Sequence, residues 1–143
     1  MAQVQFVIPG QPKGKGRPRF RNAGAFVTTY TPKDTANYEN LVRLMYEAKC
    51  KSQKLEGAIR ADIIGYFPIP ASTSKKRTQM MVEGKIRYTK KIDCDNLAKI
   101  VLDSLNKIAF DDDSQVCELV VQKRYSTEPR VAVRLTELDQ DNI

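Results

Sequence analysis

The chain contains no histidine in its 143 residues. That removes the side chain most often used as a general base near neutral pH. It also leaves a structural zinc site almost no ligands, because Cys50, Cys94 and Cys117 are its only cysteines. Those three are too few and too scattered for a disulfide framework, so they are expected to be free thiols with a packing role. No apolar run approaches the roughly 18 residues of a membrane span, so no membrane partner is expected. The opening MAQVQFVIPG has neither a basic first region nor a long apolar core, so no signal peptide is expected and the cytoplasm is the expected location. No internal repeat is present.

What is there fits one globular domain over residues 1–143, with 41% hydrophobic and 29% charged residues. At this length folding buries roughly 68–70% of the surface of the unfolded chain, enough for a single core. The net charge of +7 is strongly segregated. Residues 1–33 hold six basic side chains (Lys13, Lys15, Arg17, Arg19, Arg21, Lys33) and no acid, and residues 70–91 hold seven (Lys75, Lys76, Arg77, Lys85, Arg87, Lys90, Lys91) against Glu83 alone. Together these segments carry +12, so the remainder carries −5, with six of its acids between Asp93 and Asp113. Clustered Lys and Arg neutralise phosphates and release counterions, which points to a polyanionic partner; a solvated basic surface is the plainer alternative.

Apolar residues alternate at Val4, Phe6 and Ile8, and again at Ile59, Ala61, Ile63 and Phe67, the period of half-buried strands. VCELVVQKRY and RVAVRL flank Ser126–Pro129, and their spacing predicts an antiparallel C-terminal β-hairpin. Pro32 can open a helix with Tyr38, Leu41, Val42, Met45 and Ala48 on one face. A second helix is predicted from near Asp95 or Asn96, either being a suitable N-cap, with Leu97, Ile100, Val101, Leu105 and Ile108 as its buried stripe. The order β, α, β, α, β, β predicts an α+β domain, two main helices against a small mixed sheet.

Two stretches lack such periodicity: Pro9–Gly24, rich in Gly, Pro and basic residues, and Pro68–Lys91, rich in Ser, Thr, Lys and Arg. Loops of this length are usually functional or disordered. Phe20, Phe26, Tyr30 and Tyr88 lie in or beside them, and aromatic side chains among cations suit a nucleic-acid surface. On that reading Lys13, Lys15, Arg17, Arg19, Arg21, Lys75, Lys76, Arg77, Arg87, Lys90 and Lys91 contact DNA. On the other, the loops are flexible surface and the aromatics small satellite packing.

KKIDCDNLAKIVLDSL, Lys90–Leu105, places Asp93 and Asp95 at the start of the second helix. If the FDDDSQ turn after that helix brings Asp112 or Asp113 back towards them, three carboxylates converge. Two unit charges about 4 Å apart repel by roughly 4 kcal/mol at an effective dielectric of 20. Such acids therefore stay apart and solvated, take up a proton, or enclose a divalent cation, for which Mg²⁺ suits an oxygen-only site. A calcium EF-hand does not fit, since Leu97 and Ala98 stand at its fifth and sixth loop positions. Lys99, four residues after Asp95 and four before Asp103, either steadies a phosphate or forms an ordinary helical ion pair.

KKIDCDNLAKIVLDSLNKIAFDDDSQV resembles the signature of the RusA family of Holliday junction resolvases, D-x-D-N-x-x-K at a helix start and D-D-S/A-Q in the turn after it. GQPKGKGRPRF is similar to the basic opening of phage and prophage members, so the resemblance spans about Val4 to Leu135. It implies an α+β endonuclease that depends on Mg²⁺ or Mn²⁺, acts as a homodimer and cuts two opposed strands of a four-way DNA junction, leaving 5′-phosphate and 3′-hydroxyl ends. No small-molecule cofactor is implied. The matching residues are Asp93, Asp95 and Asp113 as catalytic metal ligands and Lys99 as the catalytic lysine. Here three aspartates run together, so Asp112 can replace Asp113 as the third ligand. With no histidine to act as base, metal-assisted hydrolysis is the expected chemistry. A DNA-binding module without catalysis, or a carboxylate-metal nuclease for other branched DNA, would keep much of the same sequence.

Overall fold

The computed structural model describes residues 2–16, 19–23, 26–30 and 32–139, the second and third of these stretches by backbone alone. In chain order the elements are β1 (Gln3–Pro9), β2 (Arg19–Ala23), β3 (Phe26–Tyr30), α1 (Lys33–Cys50), β4 (Ile59–Pro68), α2 (Lys75–Val82), α3 (Cys94–Leu105), a single 3₁₀ turn (Asp113–Gln115), β5 (Val116–Ser126) and β6 (Arg130–Glu137). They form one small α+β domain. β1, β6, β4 and β5 lie side by side in a mixed sheet, and β2 pairs with β3 as a separate antiparallel ribbon.

The predicted C-terminal hairpin does not form. β6 pairs antiparallel with both β1 and β4, and β4 lies between β6 and β5, which it meets in parallel. The physical reason is burial. Residues 59, 61, 63 and 67 of β4 are fully covered and its alternate residues half-covered, the pattern of a central strand, whereas β5 is largely exposed and suits an edge. Pairing β4 with β5 in parallel requires a long crossover, which α2 and α3 supply.

Among the described residues, the helices cover one face of the sheet. Val4, Phe6 and Ile8 of β1 share it with Val131, Val133 and Leu135 of β6 and with Ile59, Ala61 and Ile63 of β4, all at most 5% exposed. Onto it α3 lays Leu97, Ile100, Val101 and Leu105, all fully buried as its spacing predicts. A Cβ on Gly65 would lie 2.8 Å from the Leu97 side chain, so this glycine in β4 lets the first turn of α3 sit directly on the sheet. α1 packs beside it through Thr35, Tyr38, Val42 and Tyr46, a stripe rotated from the expected one: Ala48 is exposed, and Tyr46 meets Phe6 edge-on at 5.3 Å. The other face carries a charged lattice, with Asp62 paired to Arg60 and Arg134, and the Arg130 guanidinium stacked on Tyr66 at 3.9 Å.

α2 lies within a stretch expected to be irregular. Met81 is its single buried residue, so no apolar period marks it in the sequence; Ser74 caps it by accepting the Arg77 N–H at 3.3 Å.

Candidate active site

The start of α3 departs from its local rules in an informative way. The helix is capped one turn-edge earlier than expected: Asp93, not Asp95 or Asn96, is the N-cap residue, and its carboxylate makes no capping hydrogen bond. Such a cap typically contributes about 1 kcal/mol, and Asp93 forgoes it. Asp95 follows in the first turn and Lys99 one turn on, both exposed. Among the described residues none of these three side chains has a hydrogen-bond or ion-pair partner. The helical ion pair expected as one option for Lys99 is not formed, because Asp103 is taken by Lys15 at 2.7 Å.

That contact places the first basic stretch. The Lys15 N–H donates to Asn96 Oδ1 at 2.9 Å, the Gly16 N–H to Thr35 Oγ1 at 2.8 Å, and the Lys15 ammonium lies 3.7 Å from Glu39 as well. A Cβ on Gly14 would fall 2.5 Å from the Asn96 amide, so the glycine lets the loop close on the helix. Lys15, expected on the DNA surface, is thus a structural pin. Burial alone would lower its pKa, but the Asp103 hydrogen bond and the Asp103 and Glu39 charges outweigh that and raise it above 10.5. Asn96, which sequence reasoning treated as a cap, orders the loop beside Asp95.

The segment entering α3 is pinned from the other side. The Lys123 ammonium, reaching from β5, donates to the carbonyls of Lys90 and Ile92 at 2.7 and 2.9 Å, and the Tyr88 hydroxyl donates to the carbonyl of Lys91. Tyr88 stacks on Phe67 at 3.9 Å and meets Tyr125 edge-on, with Lys123 5.3 Å from its ring. Burial, then the neighbouring Tyr125, pushes the Tyr88 phenol up, which keeps it a donor. Of the aromatics expected to stack on bases, Tyr88 is half-buried, with its ring stacked on Phe67; the side chains of Phe20, Phe26 and Tyr30 lie outside the described residues. One signal for Lys123 was available: it shares the sheet face of Val121 and Tyr125, where an apolar residue belongs.

The FDDDSQ turn does not return to these acids within the chain. α3 is 12 residues long, about 18 Å at roughly 1.5 Å per residue. The turn is held at its far end, where Asn106 Oδ1 accepts the Asp113 N–H at 2.8 Å. Accordingly, among the described residues no three or more Asp, Glu or Cys side chains gather where one metal ion could reach them all. The three aspartates also differ. Asp111 pairs with Lys54 at 2.6 Å, and Asp112 accepts the Ser114 N–H at 3.1 Å in a capping box completed by Gln115. The Lys54 contact holds the Asp111 carboxyl below its usual value and the Ser114 hydrogen bonds do the same for Asp112. Asp113 is left with a carboxylate that no described residue engages.

The second basic stretch is open. Lys75, Lys76 and Arg77 fill the first turn of α2 and are exposed, with no acid among them. Cations at a helix N-terminus oppose its dipole, by roughly 0.3–1 kcal/mol each, so this arrangement favours an external anion. Lys13, Arg87, Lys90 and Lys91 are likewise exposed. Arg17 and the side chains of Arg19 and Arg21 lie outside the described residues. For a metal, the start of α3 offers two unengaged carboxylates open to water, and oxygen-only donors of this kind suit Mg²⁺ or Mn²⁺, which accept one or two carboxylates alongside waters and phosphate.

Two comparisons bear on this arrangement. The family model described as endodeoxyribonuclease RusA matches residues 9–136, nearly the whole chain. A protein of Bacillus subtilis (strain 168), described as uncharacterized protein YqaN, is 35% identical over 137 residues, covering 94% of this chain and 96% of that one. No helix among the described residues is long and apolar enough to cross a membrane.

Proposed function

We propose that this chain, which belongs to the RusA family of endodeoxyribonucleases, resolves four-way DNA junctions by paired, metal-dependent hydrolysis of two opposed strands. The family acts on branched DNA and is hydrolytic. The observation that carries the finer reading is the start of α3, where, among the described residues, Asp93 and Asp95 stand unengaged, Asp93 forgoing its cap, beside a Lys99 without a partner. A fold that leaves two carboxylates and a lysine uncommitted, while pinning the segments on either side of them, has the character of a functional site.

On this reading Asp93 and Asp95 hold Mg²⁺ or Mn²⁺. The ion supplies Lewis acidity and a water of lowered pKa. Lys99 faces the scissile phosphate and offsets charge that develops in the transition state. Lys123 and Tyr88 fix the backbone from which Asp93 projects. Lys75, Lys76, Arg77, Arg87, Lys90, Lys91 and Lys13 bind phosphates along the arms and give a salt-dependent affinity. Lys15 is left out of that set.

The position of Asp113 adds a requirement. Its carboxylate is separated from Asp93 and Asp95 by the length of α3, far beyond the roughly 2.1 Å of a Mg²⁺ ligand bond. If all three act at one site, Asp113 comes from a second copy. A twofold dimer that sets two α3 helices antiparallel brings the start of each to the end of the other and forms two equal sites, as two symmetric cuts demand.

The test is cleavage of an end-labelled four-way junction, with flap and linear duplex beside it, in Mg²⁺ and in EDTA. Paired nicks on the junction are expected from the parent in Mg²⁺ only, and none from Asp95→Asn, which still binds. A fully active Asp95→Asn protein, or equal cutting of linear duplex, would overturn the assignment.

A further inference from the structure

β5 is the last strand of the sheet, so its outer edge has no strand partner, and among the described residues no main-chain hydrogen bond covers Val121–Tyr125 from that side. Along this edge lies a cavity of about 680 Å³, closed opposite by the end of α2 and the segment after it. Cys94, which stands between Asp93 and Asp95 in the chain, lines it, so the cavity reaches the first turn of α3 without including either carboxylate in its wall.

Its walls are unusual for a surface groove in a basic region. Met81, Ile86 and the 51% exposed Val82 give an apolar side, the outer edge of β5 gives main-chain donors and acceptors with the Val121 carbonyl 4.0 Å from Cys94 Sγ, and Arg87 stands at the wall with no ion-pair partner among the described residues, whereas the Glu83 carboxylate in the same wall is paired with Lys85 at 3.1 Å. A flat, partly apolar group with polar atoms in its plane and an anion attached would satisfy all three. The volume falls within the roughly 300–1,000 Å³ of small-ligand sites.

We propose that this cavity receives one unpaired nucleobase of the DNA substrate, from a nucleotide next to the cut, and thereby sets the base preference of cleavage. The inference rests on the nuclease reading above. The base lies against Met81, Val82 and Ile86, its edge hydrogen-bonds to the β5 main chain, and Arg87 holds its phosphate. Drawing a base out of the stack costs a few kcal/mol, least at a branch point where stacking is already broken, so such a cavity also favours junctions over duplex. The fixed pattern of donors and acceptors on a strand edge distinguishes one base from another.

The experiment measures cleavage rates on junctions varied at the three nucleotides on each side of the cut. It uses the parent, Thr89→Trp, which fills the cavity from an exposed wall position, and Leu44→Trp, an equally bulky change on the exposed side of α1. The parent is expected to prefer one base at one position by tenfold or more. Thr89→Trp cuts the preferred junction no faster than the others, and Leu44→Trp keeps the parent profile. A second measurement needs no variant: with 2-aminopurine at each of those positions and the parent in EDTA, emission should rise several-fold at that position alone. A parent that cuts junctions with no base preference, or a preference untouched by Thr89→Trp, overturns the cavity assignment and leaves the nuclease reading standing. A parent that neither binds nor cuts junctions overturns both.

Discussion

The two ends of α3 carry similar acidic runs and treat them differently. At its start, Asp93 and Asp95 are unengaged by the fold, and Lys99 beside them has no counter-ion among the described residues. Beyond its end, Asp111 answers Lys54 and Asp112 caps the following turn, so one carboxylate of three, Asp113, is engaged by no described residue. The same contrast separates two lysines a few residues apart in space: Lys15 is held by Asp103 and Glu39, while Lys99 projects outward. Charge counted along the sequence does not separate groups that the fold has used from groups it has left over; the contacts do.

The largest effects should break the start of α3. Asp93→Asn and Asp95→Asn should each lower junction cleavage by about 10³-fold or more while leaving the unfolding midpoint close to the parent's, since neither carboxylate has a hydrogen-bond or ion-pair partner among the described residues to lose. Mixing inactive Asp95→Asn with inactive Asp113→Asn sharpens the comparison. If each site draws on both ends of two helices, a mixed dimer regains one intact site, and about half the dimers in an equal mixture should nick one strand rather than cut a pair. No recovery after exchange of subunits would overturn the shared-site dimer, because a site completed by its own chain's Asp113 stays broken in both subunits of a mixed dimer.

Next in size is the contrast within the aspartate triplet. Asp113→Asn should cost at least about 10²-fold in cleavage, while Asp112→Asn, which preserves the cap, should stay within a few-fold of the parent. Equal losses would mean that Asp112 has a second role. Lys99→Met should also cost about 10²-fold, mostly in kcat, as expected when a group stabilises charge in the transition state.

How much of this was legible in the sequence depended on how local the cause was. β1, β4, α1 and α3 follow from apolar periodicity, and the buried residues of β1, β4 and α3 are largely those the spacing marks, while α1 turns a face bearing Thr35 and Tyr46 to the core. α2 was hidden because a helix that buries Met81 alone has no stripe to read. The β5–β6 hairpin failed for a different reason: adjacency in sequence suggested pairing, but β4, far earlier in the chain, has the more buried strand and takes the place between them. The candidate site residues were proposed from pattern, whereas which of those aspartates the fold engages, and that Lys15 is committed, depended on contacts such as Lys15 to Asp103, 88 residues apart.

Smaller effects distinguish the two kinds of basic residue. Replacing Lys76 or Arg77 by Ala should weaken junction binding and reduce the slope of log affinity against log salt by about one each. Lys15→Met should leave that slope unchanged.

The smallest effect belongs to Lys15 itself, and its pH dependence identifies the cause. Its ammonium is partly exposed, so losing the Asp103 and Glu39 contacts should cost no more than about 1 kcal/mol of stability. Because its folded pKa is raised above the ordinary 10.5, the contribution is fully present below that value and is lost as pH rises through the folded one. The gap in urea midpoint between the parent and Lys15→Met should therefore be constant through neutral pH and close at strongly alkaline pH. No gap at any pH would mean instead that Lys15 acts through its aliphatic stem against α3, most of which Met keeps, and a gap that stays open at strongly alkaline pH would overturn the ionic account.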